Sequence, residues 1–195
     1  MRGVSLSGFR WKEGAVSGPE IVPPVLPVVS VLCGSPDSLE GVLPELSGFF
    51  GEVILRSTPF PFDKSTYYQP EMGAGLERTW LCFSGLRDPS GLPGWKLFCF
   101  GVEESWSGGS GRTVNLDPGY LDHGKLVLAS FKAAPDKVYM GEGVWAHTCL
   151  RYRFGDFCGP DHSFPDFIDG RFNVFFREAK NVYRSLLRTA NTQVT

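Results

Sequence analysis

The chain has 195 residues, 42% of them apolar and 21% charged, and a formal net charge of −2. That length suits one domain with a real core, and near-neutral charge gives no general attraction to nucleic acid. No apolar run approaches the roughly 18 residues of a membrane-spanning helix, and the first residues lack the apolar stretch and small-residue cleavage site of a secretion signal.

Residues 1–24 mix polarities and carry Pro19, Pro23 and Pro24, which predicts a flexible tail ahead of a domain at 25–190, with 191–195 as a disordered end. The β-branched run at 25–33 predicts a buried strand. Ser35-Pro36-Asp37 starts a helix. Its apolar face is Leu39, Val42, Leu43, Leu46, Phe49 and Phe50, and Pro44 predicts a kink or break. A strand at 52–57 follows. The loop at 58–75 is rich in proline and aromatic residues, and its length points to function. A third strand is expected at 76–86. Asp88-Pro89 opens a second helix with Leu92, Trp95, Phe98, Cys99, Val102 and Trp106 on one face, then a glycine-rich turn at 107–111.

Residues 112–132 hold the densest run of special residues. A strand at 112–116 leads into Asp117-Pro118-Gly119, the composition of a tight turn. Asp122 is placed to cap a short helix near His123, and 126–131 is read as a short helix, although periodicity alone does not separate helix from strand there. Gly119, Gly124 and Lys125 match the start of a phosphate-binding loop, but Leu126 stands where the magnesium-binding hydroxyl belongs. A hairpin at 137–140 and 144–154 crosses Gly141-Glu142-Gly143. Alternation in its long strand puts Val144, Ala146, Thr148, Leu150, Tyr152 and Phe154 on the core. It leaves Trp145, His147, Cys149, Arg151 and Arg153 on a wet or functional face. A last helix carries Ile168, Phe172, Phe175, Phe176, Ala179, Val182, Tyr183, Leu186 and Leu187 at helical spacing, with Asp166 or Asp169 as cap. The order predicts an α+β domain with a ferredoxin-like split βαβ core, a β-hairpin extension and a long C-terminal amphipathic helix.

Several blocks carry a resemblance: Phe60-Pro61-Phe62-Asp63, Tyr67-Tyr68, Glu71-Met72-Gly73, Arg112, Asn115-Leu116-Asp117-Pro118-Gly119-Tyr120, Lys125-Leu126-Val127-Leu128-Ala129 and Leu150-Arg151-Tyr152. Over about residues 25–188 the chain resembles the bacterial domain-of-unknown-function family 4416. Cys99-Phe100 departs from that pattern, where members often carry Thr-Asn. The resemblance implies no established activity. Some members are labelled GTP-binding, a label the incomplete phosphate loop does not support.

The favoured chemistry is binding, with processing as a further step, of a small anionic or nucleotide-like ligand. Its cleft lies between the loop at 58–75 and the turn at 115–125, lined by Asp63, Tyr68, Glu71, Asn115, Asp117, Tyr120, Lys125 and Arg151. Lys125 and Arg151 would meet the anion, the tyrosines would stack, and the carboxylates would have the shifted pKa values of acid–base groups. The residues specify neither a reaction nor a cofactor. His147, Cys149, Cys158 and His162 are metal-ligand types, but the strand spacing sets Cys158 roughly 13 Å from the others, so no metal is expected. No Gly-x-Ser-x-Gly occurs. The alternative is a non-catalytic module that binds RNA or a protein partner through Arg177, Lys180, Arg184 and Arg188 on the last helix. Five cysteines (Cys33, Cys82, Cys99, Cys149 and Cys158) with no Cys-x-x-Cys predict reduced thiols and a cytoplasmic protein.

Overall fold

The computed structural model describes residues 22–109, 111–160 and 165–192. Most of the predicted tail, residues 1–21, lies outside them, as do His162 and 193–195. Elements run β1 (Leu26–Cys33), α1 (Pro36–Phe50), β2 (Val53–Arg56), β3 (Phe60–Pro61), α2 (Gln69–Met72), β4 (Glu77–Phe83), α3 (Leu92–Ser105), β5 (Ser107–Gly108), β6 (Gly111–Arg112) and β7 (Val114–Leu121). Then come β8 (Lys125–Ser130), β9 (Val138–Gly141), β10 (Val144–Arg153), β11 (Asp156–Cys158), α4 (Pro165–Ile168) and α5 (Asn173–Thr192).

The fold is α+β. The main sheet has the order β11-β10-β8-β7-β1-β4-β2, with β3 beside β4 and β9 beside β10, and every pairing in it is antiparallel. Within it, α1 connects β1 to β2 and α3 leads from β4 towards β7. Each pair of strands encloses one strand of the other, so two β-α-β units interleave. Helices cover both faces. On one, Val29, Val31, Leu81 and Leu116 pack on Leu46 and Phe50 of α1 and Trp95 of α3. On the other, Val28, Trp80, Leu126 and Leu150 pack on Phe172, Phe176 and Tyr183. A strand covered on both faces reads as a continuous apolar run, and all eight residues of β1 are buried.

Helix α1 starts as expected, with Ser35 Oγ accepting from the Asp37 N–H at 3.1 Å. It is not broken at Pro44. Pro44 lies on the exposed side, so the carbonyl it leaves unbonded faces water, not the core. The glycine-rich turn is a small ribbon, β5 against β6. The predicted last helix is two pieces. Gly170, at φ 78°, ends the α4 turn, which leaves Ile168 half exposed, and α5 carries the apolar stripe.

The central stretch differs most from its expectation. Asp117-Pro118-Gly119 is the middle of strand β7, paired to β1 through Ser30, Val29 and Val28. The predicted helices near His123 and at 126–131 are instead a hairpin turn and strand β8. Asp122 Oδ1 accepts from Gly124 N–H at 2.7 Å and Lys125 N–H at 2.9 Å, closing that turn. Alternation in β10 also fails at one point. The register slips between Thr148 and Leu150, a bulge at Cys149 that exchanges the faces of later residues. Ahead of it Val144 and Ala146 face the α1/α3 side; beyond it Leu150 and Tyr152 face α5. His147 and Cys149 are buried, not wet. In the β10–β11 turn, Arg153 pairs Asp156, so Phe154-Gly155 makes the corner.

Candidate functional site

Strands β7 and β8 touch along only part of their lengths. They pair at Gly119–Leu128, Tyr120–Val127 and Leu121–Leu126, yet β7 begins five residues before Gly119 at Val114 and β8 runs on to Ser130. The two strands therefore part like a fork. Gly119 sits at the fork's base, where a Cβ would run into the Val127 carbonyl and come within 3.0 Å of the Leu128 Cα. Only glycine permits that approach. Pro118, next to it, carries no N–H for a neighbouring strand to accept.

A parted strand leaves backbone groups without partners, and buried ones must find others. At Leu116 they come from α3. The Leu116 N–H donates to Glu103 Oε1 at 2.6 Å, and its carbonyl accepts from Lys96 Nζ at 2.7 Å. Lys96 and Glu103 are seven residues apart, two helical turns, and both are buried. Together they replace the missing strand.

From there a charged chain runs outwards. Lys96 Nζ lies 3.1 Å from Asp117 Oδ1 and 3.8 Å from Glu103 Oε1. Asn115 Nδ2 donates to Asp117 Oδ2 at 2.9 Å. Arg112 Nη1 donates to Glu103 Oε2 at 2.9 Å and to the Asn115 Oδ1 at 3.2 Å. Through Nε and Nη2 it grips Glu71 in a two-pronged pair at 2.7 and 2.9 Å. Burial raises the Asp117 carboxyl, but Lys96 and Arg78 outweigh it and hold the group below the ordinary range. For Glu103 burial prevails over Lys96, so its pKa is raised. Burial lowers the Lys96 ammonium, but Asp117 and Glu103 more than offset it. The firmest charges are thus Lys96 and Asp117, which are also the closer pair.

The fork opens into a cavity of about 380 Å³. Its floor is Asn115 and Asp117 of β7, Leu128 of β8, and His147 and Cys149 of β10. Phe62, Tyr67 and Tyr68 of the aromatic loop form one wall, and Phe100 and Phe131 another. Arg78 of β4 closes the inner side. Its Nη1 donates to Ser30 Oγ at 2.6 Å, its Nε lies 3.2 Å from Asp166 Oδ2, and its guanidinium faces the Phe62 ring at 5.2 Å. The lining carries six lysine or arginine side chains against three carboxylates. Arg78, Lys96 and Arg112 are the cations paired to carboxylates. Lys64, Lys132 and Lys137, at the mouth, pair with none among the described residues. Lys132 contacts the Tyr67 hydroxyl and ring, and Lys137 Nζ donates to Ser130 Oγ at 3.0 Å.

Of the residues expected to line a site, Tyr68, Asn115 and Asp117 meet in this cavity, and Glu71 holds Arg112 at its rim. Asp63 stands outside, bonded to Arg171 at 3.0 Å. Arg171 also donates to the Pro61 carbonyl at 2.8 Å, so that pair anchors the aromatic loop to the turn before α5. Tyr120 and Lys125 are at the opposite end of the hairpin, beside His123 and Tyr183, and Lys125 is held by Asp122. Arg151 pairs with Lys125 in the β8–β10 register and is exposed. The separation follows from reading 117–119 as a turn: as a strand, the same residues carry Tyr120 and Lys125 away from Asn115. Arg78, Lys96, Glu103, Lys132, Lys137 and Asp166 were not anticipated. Lys96 and Glu103 had a signal, since both fall on the apolar face of Leu92, Trp95, Cys99 and Val102. Arg78 shares a strand face with Trp80 and Cys82.

No group of three or more histidine, cysteine, aspartate or glutamate side chains among the described residues has metal-binding geometry. No described helix is long and apolar enough to cross a membrane. No match was found among curated proteins or among solved structures. The family model described as a domain of unknown function, DUF4416, matches residues 23–183. That span holds the whole fork, both its strands, the aromatic loop and the α3 side chains that complete it, and the chain belongs to the DUF4416 family.

Proposed function

We propose that the chain binds a small anionic, nucleotide-like ligand in the fork between β7 and β8. The observation that carries this reading is the charge arrangement of the cavity. Its deep cations are matched by carboxylates, whereas Lys64, Lys132 and Lys137 at the mouth have no carboxylate partner among the described residues. An anion would meet those lysines, and the rings of Phe62, Tyr67, Tyr68 and Phe131 offer faces for a planar group. Asp117, held charged by Lys96 and Arg78, supplies an acceptor for N–H groups on that planar part. The last helix fits a partner-binding role less well. Arg177 is 2.8 Å from Asp156, and Lys180 donates to the His123 carbonyl at 2.6 Å and covers the Tyr152 ring, so these two members of the basic stripe are engaged within the fold.

Thermal unfolding with inorganic phosphate and with adenine and guanine nucleotides tests the reading. A ligand at a hundred times its Kd adds about 2.7 kcal/mol, which for a domain of this size raises Tm by roughly 5–10 °C. The double variant Lys132→Ala/Lys137→Ala should lose that shift, and Arg184→Ala should keep it. No shift with any of these anions, or an undiminished shift in the double variant, refutes the assignment.

A further inference from the structure

His147 and Cys149, which line the cavity, and Asp136, outside that lining, form a line that anion binding does not use. The His147 ring lies between Asp136 and Cys149. Nε2 is 2.7 Å from Asp136 Oδ2, and Nδ1 is 3.6 Å from Cys149 Sγ. The Asp136 contact is close but off-line. Two lone pairs at 2.7 Å would repel, so the proton belongs on Nε2, leaving Nδ1 as a bare acceptor directed at the thiol. The thiol has a second acceptor at the same 3.6 Å, the His147 carbonyl, and the two compete for its proton. Two residues apart on β10, His147 and Cys149 share a strand face, and both line the cavity.

A shared metal ion is the other use of these residue types. It does not fit, because Asp136 and Cys149 meet opposite nitrogens of the ring, and one ion cannot be reached by both nitrogens of a single imidazole. An acid–imidazole–thiol line instead matches the order in which a base is oriented and a nucleophile deprotonated.

We propose that Cys149 is a nucleophile activated by His147, with Asp136 as the positioning residue, and that it acts on an acyl carbon of an anionic ligand in the fork cavity. In that step the Sγ–C bond forms as the thiol proton passes to Nδ1 of His147. The tetrahedral adduct then expels its leaving group, which takes the proton from Nδ1 and leaves a thioester. Water, deprotonated by Nδ1, adds to the thioester carbon; the acid is released and the proton returns to sulfur. Burial, foremost, and the nearby Asp117 raise the thiol's pKa, while Arg78 and Lys137 act in the opposite sense. The thiol thus keeps its proton at rest, and the proton moves only on attack. The ligand's anionic character rests on the proposed function; the reactivity of the thiol does not.

The test is alkylation of the full chain at neutral pH by iodoacetamide and, separately, by iodoacetate, with sites assigned by peptide mapping. Cys158 is the built-in reference, since it is exposed while the other four cysteines are buried. Cys149 should react with iodoacetamide faster than Cys158 despite its burial. His147→Ala should slow it by about a hundredfold, the usual size of a lost general base, and added imidazole should restore part of the rate. Asp136→Asn should slow it and Asp136→Glu retain most of it. A Cys149 slower than Cys158, a His147→Ala rate equal to the parent's, or one equivalent of bound zinc that blocks alkylation overturns the proposal, provided each variant unfolds cooperatively near the parent's Tm. Iodoacetate should favour Cys149 over Cys158 more than iodoacetamide does. If Cys149 is fast with iodoacetamide but shows no such preference, the nucleophile stands and the anion-binding reading fails.

Discussion

Replacing Lys96 with methionine tests whether α3 side chains really stand in for a strand. Methionine keeps most of the apolar stem and removes the ammonium. The Leu116 carbonyl then loses its donor at 2.7 Å, and Asp117 and Glu103 lose the cation between them. Breaking a buried ion pair by deleting one partner costs about 3–5 kcal/mol. In a domain of this length that lowers Tm by roughly 10 °C. The pH dependence follows from the two carboxyls. Glu103 has a folded-state pKa above its ordinary 4.5, so the unfolded chain gives up that proton first and stability falls as pH rises through the window. Losing Lys96 pushes Glu103 higher and deepens that fall. Asp117 has a folded-state pKa below its ordinary 3.8, so its stabilisation is present above that value and lost as pH falls. The variant lacks that gain. Both effects make the deficit largest near neutrality and smallest in acid. Urea unfolding of parent and variant at pH 7 and pH 4 measures it. Adding Glu103→Gln, which keeps an acceptor for Leu116 N–H but no charge, should recover part of the loss at pH 7. A deficit of about 1 kcal/mol or less at pH 7, or one that grows in acid, refutes the account.

Gly119→Ala should cost about 3 kcal/mol or more in urea unfolding, because its Cβ meets the Val127 backbone, not a yielding side chain. Arg171→Ala should leave Tm nearly unchanged and speed hydrogen exchange across residues 58–75, since Arg171 ties that loop through the Pro61 carbonyl and Asp63; unaltered exchange there would show that the loop is held by other contacts. Phosphate or nucleotide binding at the mouth lysines should weaken as salt rises, and titration in increasing sodium chloride checks it.

Residues 117–119 explain why the site was less legible than the fold. Asp, Pro and Gly are turn residues because Pro fixes φ and lacks an N–H, and Gly tolerates close contacts and unusual φ. Both properties also serve a strand that parts from its neighbour. Pro118 wastes no donor on an absent partner, and Gly119 lets the strands touch where the fork begins. Local composition cannot separate these uses; what decides is where β8 runs, and that is long-range information. The same holds for 126–131, an apolar run too short for its period to discriminate, and for the bulge at Cys149, which has no local signature and exchanges the faces of everything after it. The elements set by local rules were legible: the capped start of α1, the Gly141-Glu142-Gly143 corner and the 3–4 stripe of α5.

The fork ties these points to chemistry. A sheet broken in its interior must satisfy the backbone groups it exposes, and here it does so with Lys96 and Glu103, a buried pair that costs desolvation and is worthwhile only with its hydrogen bonds complete. Lys96, with Arg78, then holds Asp117 charged, and the chain through Arg112 to Glu71 anchors the aromatic loop over the opening. The device that repairs the sheet therefore also walls the cavity and charges its floor. The polar residues of the fork hold one another in place through these contacts, the kind of preorganisation that lowers the cost of binding. A purely structural repair would need no mouth lysines and no thiol facing the opening, and those are the residues on which the binding and alkylation experiments bear.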